Sequence, residues 1–406
     1  DGTATTEAAL AAGRVAVVSA TRASGTTPGT ARSVVVFTRL VGVVTAVDLA
    51  AHTLTVLGQT VRVTGDSSVA EGLAPTEPAG LLNGQLLAVD GYRTSTGVIA
   101  SRIDPGVAGT LLRVSGQVSA LNGPAQTFLI GGTKIDYAGV SGGAPAGLAT
   151  GRYLIASGLT TAGLVTLNAT QLVLQDEATA GASGTNGVVH GAVTRYGTST
   201  DFDVAGQRVS TGTTTVYGIG GTVALDVEIE VAGRYDAAGA LVADTIAFVP
   251  ATPFRVVGPV DRIDATAGTF TIAGIVLATA NATRWDDRGV LRTRTFALTD
   301  LRTGDWVEVR GASTAALAAD ARVVERRTAP AGAQLLLEDD VASLSDPTFV
   351  LAGIPVDTRA ATFTAATGVT LTRNQFFAAA AGHAIRVRGS LASGGALVAT
   401  AVSLRD

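Results

Sequence analysis

A chain of 406 residues with 47% hydrophobic content carries enough apolar material for several buried cores, which excludes a disordered polymer. Fifty glycines against 15% charged residues, with Val, Thr and Ala recurring throughout, favour short strands and tight turns over long charged helices. A net charge of −4 offers no global basic field to a nucleic acid or an anionic membrane, and the absence of cysteine removes disulfides, thiolate metal sites and cysteine nucleophiles together.

Residues 1–39 form an N-terminal extension with two apolar runs, Val15 to Ala20 and Ser33 to Phe37, separated by the turn-forming stretch Ser24 to Thr30. A strand of this kind must find a sheet. It either pairs in cis, extending the first unit that follows, or it is donated to the next molecule; Val15, Val17, Val18, Val34, Val35, Val36 and Phe37 are the candidate donated residues. The chain contains no methionine, so it reads as a mature form whose leader has been removed, and a secreted, extracellular or cell-surface location is the expectation. Gly, Thr, Asp or Arg interrupts every apolar stretch well short of the roughly 18 residues of a membrane-spanning helix, so no membrane span is expected.

From Leu40 onward one pattern repeats five times. Its most regular part is an alternating strand closed by glycine and opened seven positions earlier by a glycine or polar residue: Gly84–Gly91, Gly151–Gly158, Asp226–Gly233, Gly304–Gly311 and Gly382–Gly389. Each copy opens with a hairpin, clearest as Gly42 to Val47 followed by Thr53 to Gly58, with counterparts at Thr127–Ile130, Asp201–Val204, Thr269–Ile272 and Thr348–Leu351. Each ends on a strand such as Gly97–Ile103 or Gly395–Val402. The units are assigned as 40–108, 109–177, 178–251, 252–328 and 329–406. In Asp305–Arg310 the period of two places Val307 and Val309 on a buried face and Trp306, Glu308 and Arg310 on a wet one. The closing glycines supply positive φ or close approach at barrel corners. A unit of this length holds five or so short strands, so the predicted fold is all-β: a linear array of about five small OB-like β-barrels behind an N-terminal strand. Prolines in Asp104–Gly106 and Val249–Pro253 stiffen two linkers, whereas Glu177–Gly184 reads as a softer joint.

The opening Gly-x-Val strand, the Thr-x-Thr-Val-x-Gly hairpin, the Val-Glu-Val-x-Gly strand and the closing Leu-Val-Ala-x-x-Ile strand resemble the bacterial family called domain of unknown function 5666. The resemblance runs from Leu40 onward and implies exported or surface-anchored proteins of tandem β-rich units, with no catalytic residues to carry over. The second unit departs from the pattern at its closing strand, Leu164 to Thr170, and the fifth has lost the opening glycine.

Signals of chemistry are sparse. His52, His190 and His383 fall in three different units and share no motif. The acidic pairs Asp286-Asp287 and Asp339-Asp340 lack the loop of a calcium site and read as solvated turn residues; no metal and no cofactor is expected. Glu228 and Glu230 alternate on one strand without a facing carboxylate, and the chain is not expected to be an enzyme. Arg284, Arg288, Arg292 and Arg294 form the most basic stretch, a possible polyanion contact suited to an acidic polysaccharide, although a solvated face or an inter-unit contact is the plainer reading. The expected function is a structural subunit of an extracellular or cell-surface fibre or matrix, assembling with copies of itself head to tail through the N-terminal strand. The alternative is a surface-anchored protein that recognises glycan or another extracellular polymer.

Overall fold

The computed structural model describes residues 10, 13–21, 30–37, 40–48, 51–70, 83–94, 97–160, 166–175, 181–218, 221–225, 227–248, 253–281, 283–291, 293, 295–329 and 332–405. The chain divides into two compact units, Asp1–Pro250 and Ala251–Asp406, each taken by itself below. The linker at Val249–Pro253, apart from Pro253, and the first residues of the stretch from Glu177 lie outside the described residues.

In the first unit, β1 (Val15–Thr21) and β2 (Thr30–Phe37) pair, among the described residues, only with each other, as an antiparallel hairpin. Repeat 1 follows as β3 (Leu40–Asp48), β4 (Thr53–Val56), β5 (Gln59–Val69), β6 (Leu86–Arg93) and β7 (Gly97–Pro105). Its strands close a ring in the order β3-β4-β5-β7-β6 and back to β3, antiparallel except for the parallel pair β5–β7. Repeat 2 repeats the ring with β8 (Leu112–Asn122), β9 (Thr127–Ile130), β10 (Thr133–Asp136), β11 (Tyr153–Thr160) and β12 (Thr166–Gln175). Its altered closing strand still pairs parallel with β10 and antiparallel with β11. Repeat 3 is a closed five-stranded barrel of β13 (Asn186–Thr198), β14 (Asp201–Val204), β15 (Gln207–Tyr217), β16 (Glu228–Tyr235) and β17 (Leu241–Phe248).

The second unit holds repeats 4 and 5. Repeat 4 comprises β18 (Phe254–Pro259), β19 (Arg262–Asp264), β20 (Thr269–Ile272), β21 (Ile275–Ala278), β22 (Arg284–Asp287), β23 (Trp306–Ala315) and β24 (Ala318–Arg327). Repeat 5 comprises β25 (Leu335–Ser345), β26 (Thr348–Leu351), β27 (Ile354–Asp357), β28 (Thr362–Thr364), β29 (Thr370–Leu371), the short helix α1 (Arg373–Ala379), β30 (Ala384–Leu391) and β31 (Leu397–Arg405). This helix and a single 3-10 turn at Leu298–Asp300 in repeat 4 are the departures from an all-strand fold among the described residues. Thr372 caps it by accepting from the backbone N–H of Gln375, and Phe376 is buried against Phe349 and Phe363.

Sequence pattern and burial agree closely in the short second strands. All five alternate half-buried and buried positions, because the period of two turns Leu54 and Val56, or Phe270 and Ile272, into the barrel. The closing glycines act through close approach, not through positive φ. Each follows a register shift in its strand, and a Cβ on Gly91, Gly158, Gly233, Gly311 or Gly389 would be driven into the backbone carbonyl of the neighbouring strand. Gly304 is the opposite case, with φ +88° and open space where a Cβ would stand. We therefore expect Gly311→Ala to destabilise the second unit by about 2–3 kcal/mol, as for overpacking against an atom that cannot move. Gly304→Ala should cost only the left-handed penalty of about 1 kcal/mol. Urea unfolding of the two variants side by side measures the difference.

Candidate assembly interfaces

Repeats are joined in pairs through their first strands. β3 lies antiparallel to β8 with Leu40 opposite Val114, and β18 lies antiparallel to β25 with Val256 opposite Leu337. The two junctions use the same position of the repeat: Leu40, Val114, Val256 and Leu337 stand opposite Val89, Ala156, Val309 and Val387 of their own repeats. Each pair consequently shares one apolar core, whereas the core of repeat 3 is separate.

At the repeat 1–repeat 2 junction the contacts are hydrogen bonds between neutral groups and one arginine. The buried Gln59 amide donates to the carbonyl of Ile130 and to the hydroxyl of Thr133 at 2.6 Å. Arg93 donates to the Gln59 side-chain oxygen at 3.0 Å and to the carbonyl of Ser115. These bonds satisfy polar groups that the pairing takes out of water.

At the repeat 4–repeat 5 junction buried ion pairs within each repeat flank the shared strands, and Arg255 of repeat 4 attracts Glu338 of repeat 5 across them. Glu308 and Arg310, expected on a wet face, are only 3% and 4% exposed, because repeat 5 and the arginines of β24 cover that face. Glu308 receives Arg255 at 3.0 Å and Arg327 at 2.9 Å; Glu325, fully buried, receives Arg310 at 2.9 Å and Arg327 at 2.6 Å. From repeat 5, Glu338 stands opposite Arg255 and binds Arg386 at 2.6 Å. Burial acts to raise the Glu308 carboxyl, but Arg255, Arg327 and Arg310 outweigh it and hold the group below its usual value.

The acidic pairs are strand residues in place of solvated turns. Asp286 binds Arg288 at 2.9 Å, and Asp287 binds Arg326 and accepts from the backbone N–H of Thr293. Burial works to raise Asp287, yet the hydrogen bonds from Arg326 and Thr293 prevail and bring it to about 2. Asp339 occupies the position of the lost opening glycine and accepts from the Ser313 hydroxyl of repeat 4, so that change in the repeat builds a contact between repeats. Among the described residues no group of three or more acids and histidines is placed to hold a metal ion.

The candidate polyanion residues are divided. Arg284 is exposed on β22, Arg288 is buried beside Asp286 and Glu325, and Arg292 and Arg294 lie outside the described residues. Trp285 packs on Phe270 and Phe296 inside repeat 4. The three histidines remain far apart in sequence and in repeat; His190 lies 3.3 Å from Glu228.

The two N-terminal apolar runs meet each other. Val15, Val17 and Val18 of β1 stand opposite Phe37, Val35 and Val34 of β2, and Val36 stands opposite Ala16. Val18, Val34 and Val35 are 55%, 41% and 48% exposed. The base of the hairpin is held to repeat 1, where the Ser101 hydroxyl donates to the carbonyl of Gly13 at 2.6 Å and Arg14 lies 3.8 Å from both Asp90 and Asp104.

Small barrels with one shared ring order, joined in pairs by their first strands, define a tandem β-repeat protein. The family described as domain of unknown function (DUF5666) matches residues 41–104, 190–247, 257–325 and 340–403, more than half of the chain, and the protein belongs to that family. Repeat 2 has the ring without the match. No curated protein matches the chain. No helix among the described residues is long and apolar enough to cross a membrane.

Two expectations follow for the second unit. Glu325→Ala leaves Arg310 and Arg327 buried without the carboxylate between them, and should lower its stability by about 3–5 kcal/mol in urea unfolding. Asp287 has a folded pKa below its ordinary 3.8, so the stability it contributes is complete above about pH 4 and is lost as pH falls towards about 2. Asp287→Asn should lower stability at pH 6 and flatten the dependence between about pH 4 and 2.

Proposed function

We propose that the protein is a structural subunit of an extracellular or cell-surface fibre or matrix, in which chains join head to tail by β-strand addition from the N-terminal segment. The observation that carries this reading is the β1–β2 hairpin. It is a valine-rich ladder with exposed side chains, and among the described residues neither outer edge is paired with a barrel strand. A lone two-stranded hairpin is marginal in water, and its edges present unpaired N–H and C=O groups to any strand that can complete the sheet. The five barrels support the same reading, since they supply repeated modules of one fold. An extended edge pairing is directional, so each added chain leaves another open edge and the contact propagates.

Negative-stain electron microscopy of the full chain beside a variant lacking residues 1–37 tests the proposal. Filaments from the full chain that are lost in the shortened one are expected. Val34→Lys, at an exposed site, should also reduce filaments without altering the melting of the barrels. Single particles from both chains at high concentration would refute the fibre reading.

A further inference from the structure

Repeats 1, 2, 4 and 5 each place one first-strand residue opposite its counterpart in another repeat, and all four of those residues, Leu40, Val114, Val256 and Leu337, are buried. The counterpart in repeat 3 is Val189, which faces Val231 on β16 as Val256 faces Val309 on β23. Val189 is only half-buried, and Val188 beside it is 59% exposed. Among the described residues, no strand pairs with β13 at 186–191 on the side away from β16.

The hydrogen bonds of the ladder fix which backbone groups face that edge. The N–H of Val193 donates to Val227 on the β16 side, whereas the carbonyl of Ala192 accepts from Ala205 on the β14 side. Alternation along an antiparallel strand then turns the N–H and C=O of Val188 and His190 towards the open edge. The outer face beside it is open as well. Glu230 and Ala247 are exposed, although their counterparts in repeat 4, Glu308 and Glu325, are buried by the junction.

We propose that this edge is a self-association site, at which the third repeat pairs with the third repeat of a second copy of the chain, antiparallel and centred on Val189. The occupant follows from the other four repeats, each of which seats a repeat of its own kind in this register. Val189 then faces Val189, and Val188 faces His190 of the second copy on both sides. The contact is isologous and closes as a dimer. A Cβ at Gly258 would meet Leu335 of the partner repeat, whereas one at Gly191 would meet Tyr92 of repeat 1. Tyr92 thus fills the end of the edge, and the second copy engages Val188 to His190, the counterpart of the stretch Arg255 to Val257 that β18 gives to β25.

The proposal goes beyond the fibre reading, and its test uses a different strand. In this register the two Val189 residues form a non-hydrogen-bonded pair, with Cα atoms about 4.5 Å apart, within reach of a disulfide. The chain has no cysteine of its own, so Val189→Cys reports on this contact alone. Under mild oxidation, non-reducing electrophoresis should show a linked dimer for V189C and none for V216C, whose site is 64% exposed. The dimer should vanish in V188P/V189C, because proline removes an N–H aimed at the open edge and leaves the β16 ladder intact. Sedimentation velocity of the full chain against V188P reads the same contact without a cysteine, with a fall in mass expected at unchanged circular dichroism. The proposal is overturned by a folded V189C that stays monomeric, by equal linkage through V216C, by linkage that survives V188P, or by a dimer that is lost on removing residues 1–37.

Discussion

Each repeat of this chain has to cover one short stretch of backbone, the free edge of its first strand just before the barrel closes. A barrel of this size hides most of its edges by pairing its ends, but the first strand is longer than the hairpin that covers it, so that Leu40–Val43, which close the ring on β6, keep their other edge free within the repeat. Unpaired N–H and C=O groups there would stand beside an apolar interior. Placing the same stretch of another repeat against it satisfies both sets of groups and merges two small cores into one. The gain matters because a domain of about 60 to 80 residues buries a smaller share of its surface than a larger domain does and is marginal when alone. Pairing thus explains why the first two repeats and the last two behave as joined bodies, and why the third, with a core of its own, is different.

Apolar pairing alone would not tell one repeat from another. Val256 opposite Leu337 is nearly the same contact as Leu40 opposite Val114. The flanking positions differ. Arg255 stands opposite Glu338, and Val41 opposite Arg113, so a repeat 4 set against another repeat 4 would put Arg255 opposite Val257 in place of Glu338. Burying so many charges costs desolvation that their mutual attraction only offsets. Their value to a chain of similar modules lies in penalising the wrong partner, since a mispaired repeat 4 loses the attraction that Glu338 of repeat 5 adds to the buried Arg255.

Much of this was legible in the residues. The period of two in Thr269–Ile272 and its counterparts placed the inward side chains, and the closing glycines marked positions that admit no Cβ. The physical reason for those glycines was legible only as a choice between positive φ and close approach, and geometry selects the second. The outer face was misread because Glu308 and Arg310 alternate with valines just as a solvated face would, and the groups that cover them come from strands and a repeat remote in sequence. Arg288 was misread for the same reason: an arginine-rich run looks basic until Asp286, Asp287 and Glu325 are placed against it. Asp339 shows the converse, since the loss of a repeat's glycine becomes intelligible once Ser313 of the neighbouring repeat is seen to donate to it.

The hairpin and the third repeat then differ in what they would build. Arg14 and Gly13 fix the base of the hairpin to repeat 1, so the open strands β1 and β2 start from a defined place and not from a loose tail. Strand addition there is heterologous: donor and acceptor are different surfaces, and growth continues. The β13 edge is self-complementary and is used up by a single partner. A chain with both kinds of edge would grow along one direction through the hairpin and be tied side to side through the third repeat. Two such weak edges acting together resist dissociation better than either alone, because breaking one leaves the chain held at the effective concentration set by the other. A matrix assembled in this way needs no ligand and no reaction, only that the two edges stay uncovered within the monomer.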